Sequence, residues 1–377
     1  MVELTKEQRE IKQAAREFAE GEFGDIANEC DEHETFPIDM WKRACEYGFI
    51  GAFIGEPYGG AGLGILECAL IMEEFWRIDP GCGNILLSTL GAEVIHDYGN
   101  EEQKTKYLPP LTKAESIIGT VPSEKYIENA FRYYKFSDDQ FALNGSSEFV
   151  VNGTNCDHLI ILAESEEMGD IGKRRSSTFI IDKNGTGIKA AVFSDKLGVR
   201  ATDICQVMLD NVAVPSQNLV GIEGNGLIQF DAFMDRLSIY NTAQAIGASQ
   251  GCLDRAIKYS RQRVQFGHPI GWFQMVQLKI VEMATRIEAA RNLFYKAAEQ
   301  FDQGKKDRRL ISMANWLARE AAEVSTSETL QIHGGYGYVK DLDIERFYRD
   351  ARFLELFGVS SQREKLRVAE KLLGKMR

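Results

Sequence analysis

The chain has 377 residues, of which 44% are hydrophobic and 27% charged, an ordinary composition for a globular protein with a large core. Its 56 acidic side chains outnumber 44 basic ones, for a net charge of −12. That balance argues against a nucleic-acid or anionic-membrane surface as its working face. No apolar run approaches the roughly 18 residues needed to cross a bilayer. The seven cysteines are scattered without paired spacing, which points to reduced thiols and a cytoplasmic setting. The five histidines, His33, His96, His158, His268 and His333, have no metal-ligand spacing.

Residues 5 to about 120 read as helical. Thr5 and Gln8 stand at capping-box spacing, so the N-terminus reads as a helix start and not as a targeting segment. Ile11, Ala15, Phe18 and Ala19 follow on one helical face. Pro37 and the glycine-rich stretch 48–64 interrupt the pattern, and apolar periodicity returns over Leu66–Ile78 and Ile85–Tyr98. From about 117 to 215 the pattern turns to short alternating runs. Asn144-Gly145 is a hairpin signal. Phe149–Gly153, His158–Leu162, Ser177–Ile181 and Gln206–Pro215 read as strands, and Glu164–Arg175 as a charged, solvated loop. Helical periodicity resumes from Leu227, with long helices expected over Ala243–Arg263, Phe273–Gly304 and Leu310–Gln331.

Five stretches are more specific than their periodicity. They are Glu56-Pro57-Tyr58-Gly59-Gly60-Ala61-Gly62, Asn100 to Leu111, Arg263-Val264-Gln265-Phe266-Gly267, Gln331-Ile332-His333-Gly334-Gly335-Tyr336-Gly337-Tyr338, and Arg349-Asp350-Ala351 running on to Ser360-Ser361-Gln362. Together they resemble the signatures of the acyl-CoA dehydrogenase family, flavoproteins that oxidise the Cα–Cβ bond of acyl-CoA thioesters. The resemblance covers nearly the whole chain. It implies an α+β fold: an N-terminal helical domain over 1–116, a central β-domain over 117–226 and a C-terminal four-helix bundle over 227–377. It also implies FAD, shared across a subunit interface. The bundle of one subunit grips the adenine and pyrophosphate, and the β-domain of the other holds the flavin ring.

The neighbour-facing half of that pattern is present. Arg263 suits a phosphate, because its guanidinium fork pairs one bidentately. Phe266 offers an aromatic face, and Gln274 follows at the family spacing. Gln331, Gly334 and Gly335 let backbone approach the pyrophosphate, and Ser360 and Gln362 complete the expected cofactor contacts. The flavin-ring half departs from the family. Ser123 is the remaining hydroxyl in a stretch where Tyr126-Ile127-Glu128-Asn129-Ala130 replaces a small-residue turn. Val151 stands where a threonine bonds the flavin, and each missing bond at a buried polar edge costs about 1–3 kcal/mol.

The base that removes the substrate α-proton is missing from both positions the family uses. Gly358 stands at one and Leu237 at the other, with Ser238 at the adjacent arginine. Asp235 is the weak candidate for a displaced base, with an N-terminal-domain carboxylate as a further possibility. The resemblance therefore implies a non-catalytic or half-site subunit of a heteromeric acyl-CoA dehydrogenase. Its expected partners are a homologous subunit, an acyl-CoA and electron-transferring flavoprotein. Two other readings stay open: a homomeric FAD enzyme acting on a cyclic or aromatic-derived acyl-CoA with a displaced base, and a scaffold without flavin chemistry.

Overall fold

A computed structural model describes residues 3–121, 131–168 and 174–374. Helices α1 (Lys6–Glu22), α2 (Gly24–His33), α3 (Ile38–Glu46) and α4 (Ile65–Ile78) open the chain, followed by the shorter α5 (Pro80–Gly83), α6 (Ala92–Tyr98), α7 (Glu101–Tyr107) and α8 (Pro109–Thr112). The Thr5 hydroxyl accepts the Gln8 N–H and the Gln8 side chain returns the contact, so the expected capping box is formed. The expected helix over Ile85–Tyr98 is broken at Gly91, and only Ala92–Tyr98 is α-helical.

Strands β1 (Ile118–Thr120), β2 (Phe131–Ser137), β3 (Gln140–Val151), β4 (His158–Met168), β5 (Arg174–Asp182), β6 (Ile188–Val192), β7 (Ile204–Pro215) and β8 (Leu219–Val220) form one sheet in the order β6-β7-β3-β1-β4-β5-β8, with β2 pairing β3 and β4. Asn144-Gly145 is not a hairpin turn. Asp138 and Asp139 make the turn between β2 and β3, while Gly145, at φ +129°, lies inside β3. The β3–β7 register slips between Leu143 and Gly145, and the Asn144 side chain accepts the Asn211 N–H across the slip. The pair builds a bulge, which uses the same left-handed freedom as a turn. The described residues of the charged segment Glu164–Arg175 are strand: β4 runs to Met168 and β5 starts at Arg174.

The rest is helical. α9 (Gly226–Gln262) has 37 residues and begins far upstream of the expected Ala243. Its first half carries Asp235, Arg236, Ser238 and Asn241, polar groups paired with other elements, and these hide its apolar period. The two-residue strands β9 (Val264–Gln265) and β10 (His268–Pro269) form a small hairpin. Then come α10 (Gln274–Asp302), α11 (Arg308–His333), α12 (Ile344–Asp350) and α13 (Ser361–Leu373). One core joins α4 to α9, α10 and α11; a second lies between α1, α3 and the sheet. Among the described residues, no helix is long and apolar enough to cross a membrane.

Charged groups fasten the three regions together. The Asp302 carboxylate caps α4 by accepting the Ile65 and Leu66 N–H groups at 2.7 and 3.1 Å. Arg349 pairs with Asp31 at 2.7 Å, and Arg346 with Asp79 at 2.8 Å. Asp350 accepts the Val199 N–H at 2.6 Å, joining α12 to the loop before β7.

Candidate functional site

The residues expected to face a neighbour's cofactor lie together at one end of the bundle, in solvent. Arg263, Phe266, Gln274, Gln331, Gly334 and Gly335 are all exposed. The Arg263 guanidinium sits 5.7 Å from the Tyr336 ring centroid, which ties the β9–β10 hairpin to the glycine turn after α11. Phe266 is 90% exposed and meets Phe273 edge-on at 6.2 Å. Beside it Trp272, Met275 and Leu278 are also exposed. A Cβ on Gly334 or Gly335 would meet nothing within 4 Å, so the backbone there is open to an approaching group. Among the described residues Arg263 has no carboxylate partner. An unopposed guanidinium beside bare backbone suits an anion such as a pyrophosphate.

Ser360 and Gln362 lie elsewhere, at the start of α13. The Ser360 hydroxyl accepts the Arg363 N–H at 3.4 Å, and Gln362 is exposed. Ser123 and the stretch Tyr126–Ala130 fall outside the described residues.

A cavity of about 200 Å³ opens where β3 meets the Arg-Asp-Ala segment, walled by Phe149, Val151, Phe193, Val199, Phe353 and Leu356. Arg349 and Arg352 stand at its edge. Two wall residues hold left-handed backbone: Phe149 at φ +61° and the β-branched Val199 at φ +43°. Such strain persists only where surrounding contacts over-determine it. For Val199 the contact is the Asp350 carboxyl, whose other oxygen is buried without a hydrogen-bond partner. Val151 is 2% exposed and brings an apolar side chain, with no donor, to the wall. The cavity is an apolar, cation-edged slot of the kind a flat conjugated ring fills.

The two base positions meet. A Cβ on Gly358 would touch the Leu237 side chain at 3.7 Å, so both alternatives converge on one spot and neither places a carboxylate there. Gly358 has φ +88°. The carbonyl before it, Phe357 O, accepts from Asn241 Nδ2 at 2.9 Å and from Arg319 Nη2 at 3.3 Å. Arg319 is buried, and its Nε donates to Asn241 Oδ1 at 2.8 Å. Ser238, at the family's arginine position, donates to Glu364 at 3.0 Å, and Ser312 donates to the other oxygen of Glu364 at 2.5 Å. A guanidinium reaching in from α11 thus braces the loop where an α9 arginine is missing. These partners were not singled out in the sequence; the signal was polar residues (Asn241, Asn315, Arg319, Glu364) on otherwise buried helix faces.

Asp235 and Glu355, the acid three residues before Gly358, are both engaged by other groups. Asp235 is buried and accepts Arg308 Nε at 2.8 Å; burial raises its pKa against the pull of that guanidinium. Glu355 accepts the Ser361 hydroxyl at 2.7 Å and lies 3.6 Å from Arg319.

This architecture of helices, sheet and helical bundle around a slot at the sheet's edge is that of a flavin-dependent acyl-thioester oxidoreductase. Residues 5–115, 127–212 and 224–373 match the models of the acyl-CoA dehydrogenase N-terminal, middle and C-terminal domains, and the chain belongs to the acyl-CoA dehydrogenase family. It is 34% identical to an acyl-CoA dehydrogenase of Bacillus subtilis strain 168, over 98% of this chain and 99% of that one. It is 31% identical to a caffeyl-CoA reductase–Etf complex subunit of Acetobacterium woodii, over 99% of this chain and 100% of that one. The structure of butyryl-CoA dehydrogenase from Megasphaera elsdenii superposes with a TM-score of 0.92 at 30% identity, covering 99% of this chain and 100% of that one. The family's cofactor, FAD, is the cofactor here. The apolar lining of the slot at Phe149 and Phe353 suits a flavin ring, and the open backbone beside Arg263 suits the phosphates of a neighbour's FAD.

Proposed function

We propose that this chain is the half-site subunit of a heteromeric, FAD-dependent acyl-CoA dehydrogenase. The observation that carries the reading is the contact between Gly358 and Leu237, which leaves both base positions without a carboxylate. Proton abstraction needs such a group within hydrogen-bond reach of the substrate carbon. Arg319 and Asn241 hold the Gly358 loop in place, and the nearest charge they bring to it is positive.

Bound FAD supplies the two-electron acceptor for the substrate's β-hydride. This chain's residues act on binding and placement. Arg263, Phe266, Gln274, Gln331, Gly334 and Gly335 present an exposed surface to the FAD phosphates and adenine of a homologous partner, which supplies the base. Ser360 and Gln362 are further proposed cofactor contacts. The relative named as part of an Etf complex supports electron-transferring flavoprotein as the acceptor. A homomeric enzyme with Asp235 as displaced base is less well supported, because Arg308 already engages that carboxylate.

The test is isotope exchange. The chain purified alone is incubated with an acyl-CoA in deuterated buffer, and α-deuteration is followed by mass spectrometry. No exchange alone, and exchange with a homologous partner carrying the Glu-Gly-Thr motif, is the expected result. Rapid exchange by the chain alone overturns the reading.

A further inference from the structure

A second cavity, about 30 Å³, lies among α4, α6 and α9. Most of its wall is apolar, including Phe53, Met72 and Leu90. Two side chains in it are not. Glu93 is 3% exposed and Tyr240 is 5% exposed. Tyr240 is three residues beyond Leu237 on α9, so the two share a helix face. The cavity is therefore one helical turn from the place where Leu237 meets Gly358.

Both polar groups lack an acceptor. The Glu93 carboxyl takes the Gly91 N–H at 2.9 Å and its own backbone N–H, so its protein contacts are donors only. Burial pushes it up to about 7, against the pull of Arg236. Arg236 is committed to Asp97 at 2.9 Å and lies over the Phe301 ring. Near neutrality a large share of Glu93 thus carries a proton with no acceptor among the described residues. The Tyr240 hydroxyl has no hydrogen-bond partner among them either. A buried donor left unpaired is costly, so such donors ordinarily have a partner in the working state. The volume suits one oxygen-sized group, since a water needs about 10–15 Å³ by the same kind of measure.

We propose that this cavity is a subsite for the far end of the acyl group, and that Glu93 and Tyr240 select acyl-CoAs carrying an oxygen there, as a hydroxyl. The proposal rests on the acyl-CoA reading but not on which chain supplies the base. An unsubstituted chain brings no acceptor to either donor; a hydroxyl oxygen, with two lone pairs, gives one to each.

The experiment measures binding of matched thioesters to the purified full-length protein by calorimetry: butyryl-CoA against 4-hydroxybutyryl-CoA, and pentanoyl-CoA against 5-hydroxypentanoyl-CoA. In the wild type one hydroxylated member binds about three- to tenfold tighter than its parent, the range of one or two net hydrogen bonds. Tyr240→Phe, which removes only the hydroxyl, reduces that preference without weakening the parent. Glu93→Gln keeps a donor and retains most of it, and Glu93→Leu abolishes it. Equal binding within both pairs, or a preference untouched by Tyr240→Phe, overturns the subsite alone. Failure of every thioester to bind overturns the acyl-CoA reading along with it.

Discussion

Asp350, the acid of the Arg-Asp-Ala segment, gives the protein a pH dependence that can be worked out from its surroundings. Its carboxyl is fully buried. Burial, and then the charge of Asp79, push it up to about 8. In the unfolded chain it titrates as an ordinary carboxyl near 3.8. Between those values the folded state keeps a proton that the unfolded state has lost. Folding stability from this group is therefore full below about pH 4 and falls as pH rises towards 8, by at most about 1.4 kcal/mol per pH unit. Asp350→Asn removes the titration and keeps the carbonyl that accepts the Val199 N–H. Urea unfolding of both proteins from pH 5 to 9 should show the wild type losing on the order of 1 kcal/mol per unit between pH 6 and 8 relative to the variant. Parallel stability curves, or a wild type that gains on the variant as pH rises, would refute a proton stored at Asp350.

Three further outcomes follow from the site. Arg263→Ala should weaken FAD retention in the assembled oligomer by about 1.5–3 kcal/mol through loss of a charge-assisted contact; unchanged flavin release on dilution would contradict its role. Gly358→Glu should not yield a fast dehydrogenase in a dye-reduction assay, and should lower stability by roughly 1–2 kcal/mol because φ is +88° there. Asp235→Ala should leave turnover of the mixed assembly nearly intact. A loss of about 10²–10⁴-fold, the scale of a missing general base, would make this chain an enzyme in its own right.

The fold was legible where the signal was local. Thr5 and Gln8 announced their capping box, and the glycine motifs kept family spacing, so the three-part order followed. Local signals failed where one backbone conformation serves two purposes: Asn144-Gly145 looks the same in a turn and in a bulge, and only pairing with β7 decides between them. The vacant base positions could be read from Gly358 and Leu237, but not their contact, which joins residues 121 apart along the chain. Glu93 gave no sequence signal at all. Its character comes from burial against Tyr240 and from Arg236, distant partners that no spacing rule connects.

The left-handed turn at Gly358 also bears on how readily a carboxylate could be placed there. Glycine and glutamate codons differ by one or two nucleotides, so gaining the acid is a small genetic step. Structurally it is not, because the backbone has settled into a conformation that a side chain resists by roughly 1–2 kcal/mol, with Asn241 and Arg319 bracing the loop from behind. Gaining the acid would need a compensating change in that brace before it brought any benefit. On the half-site reading proposed above, the turn acts as an evolutionary ratchet that holds the chain to dependence on another source of the base.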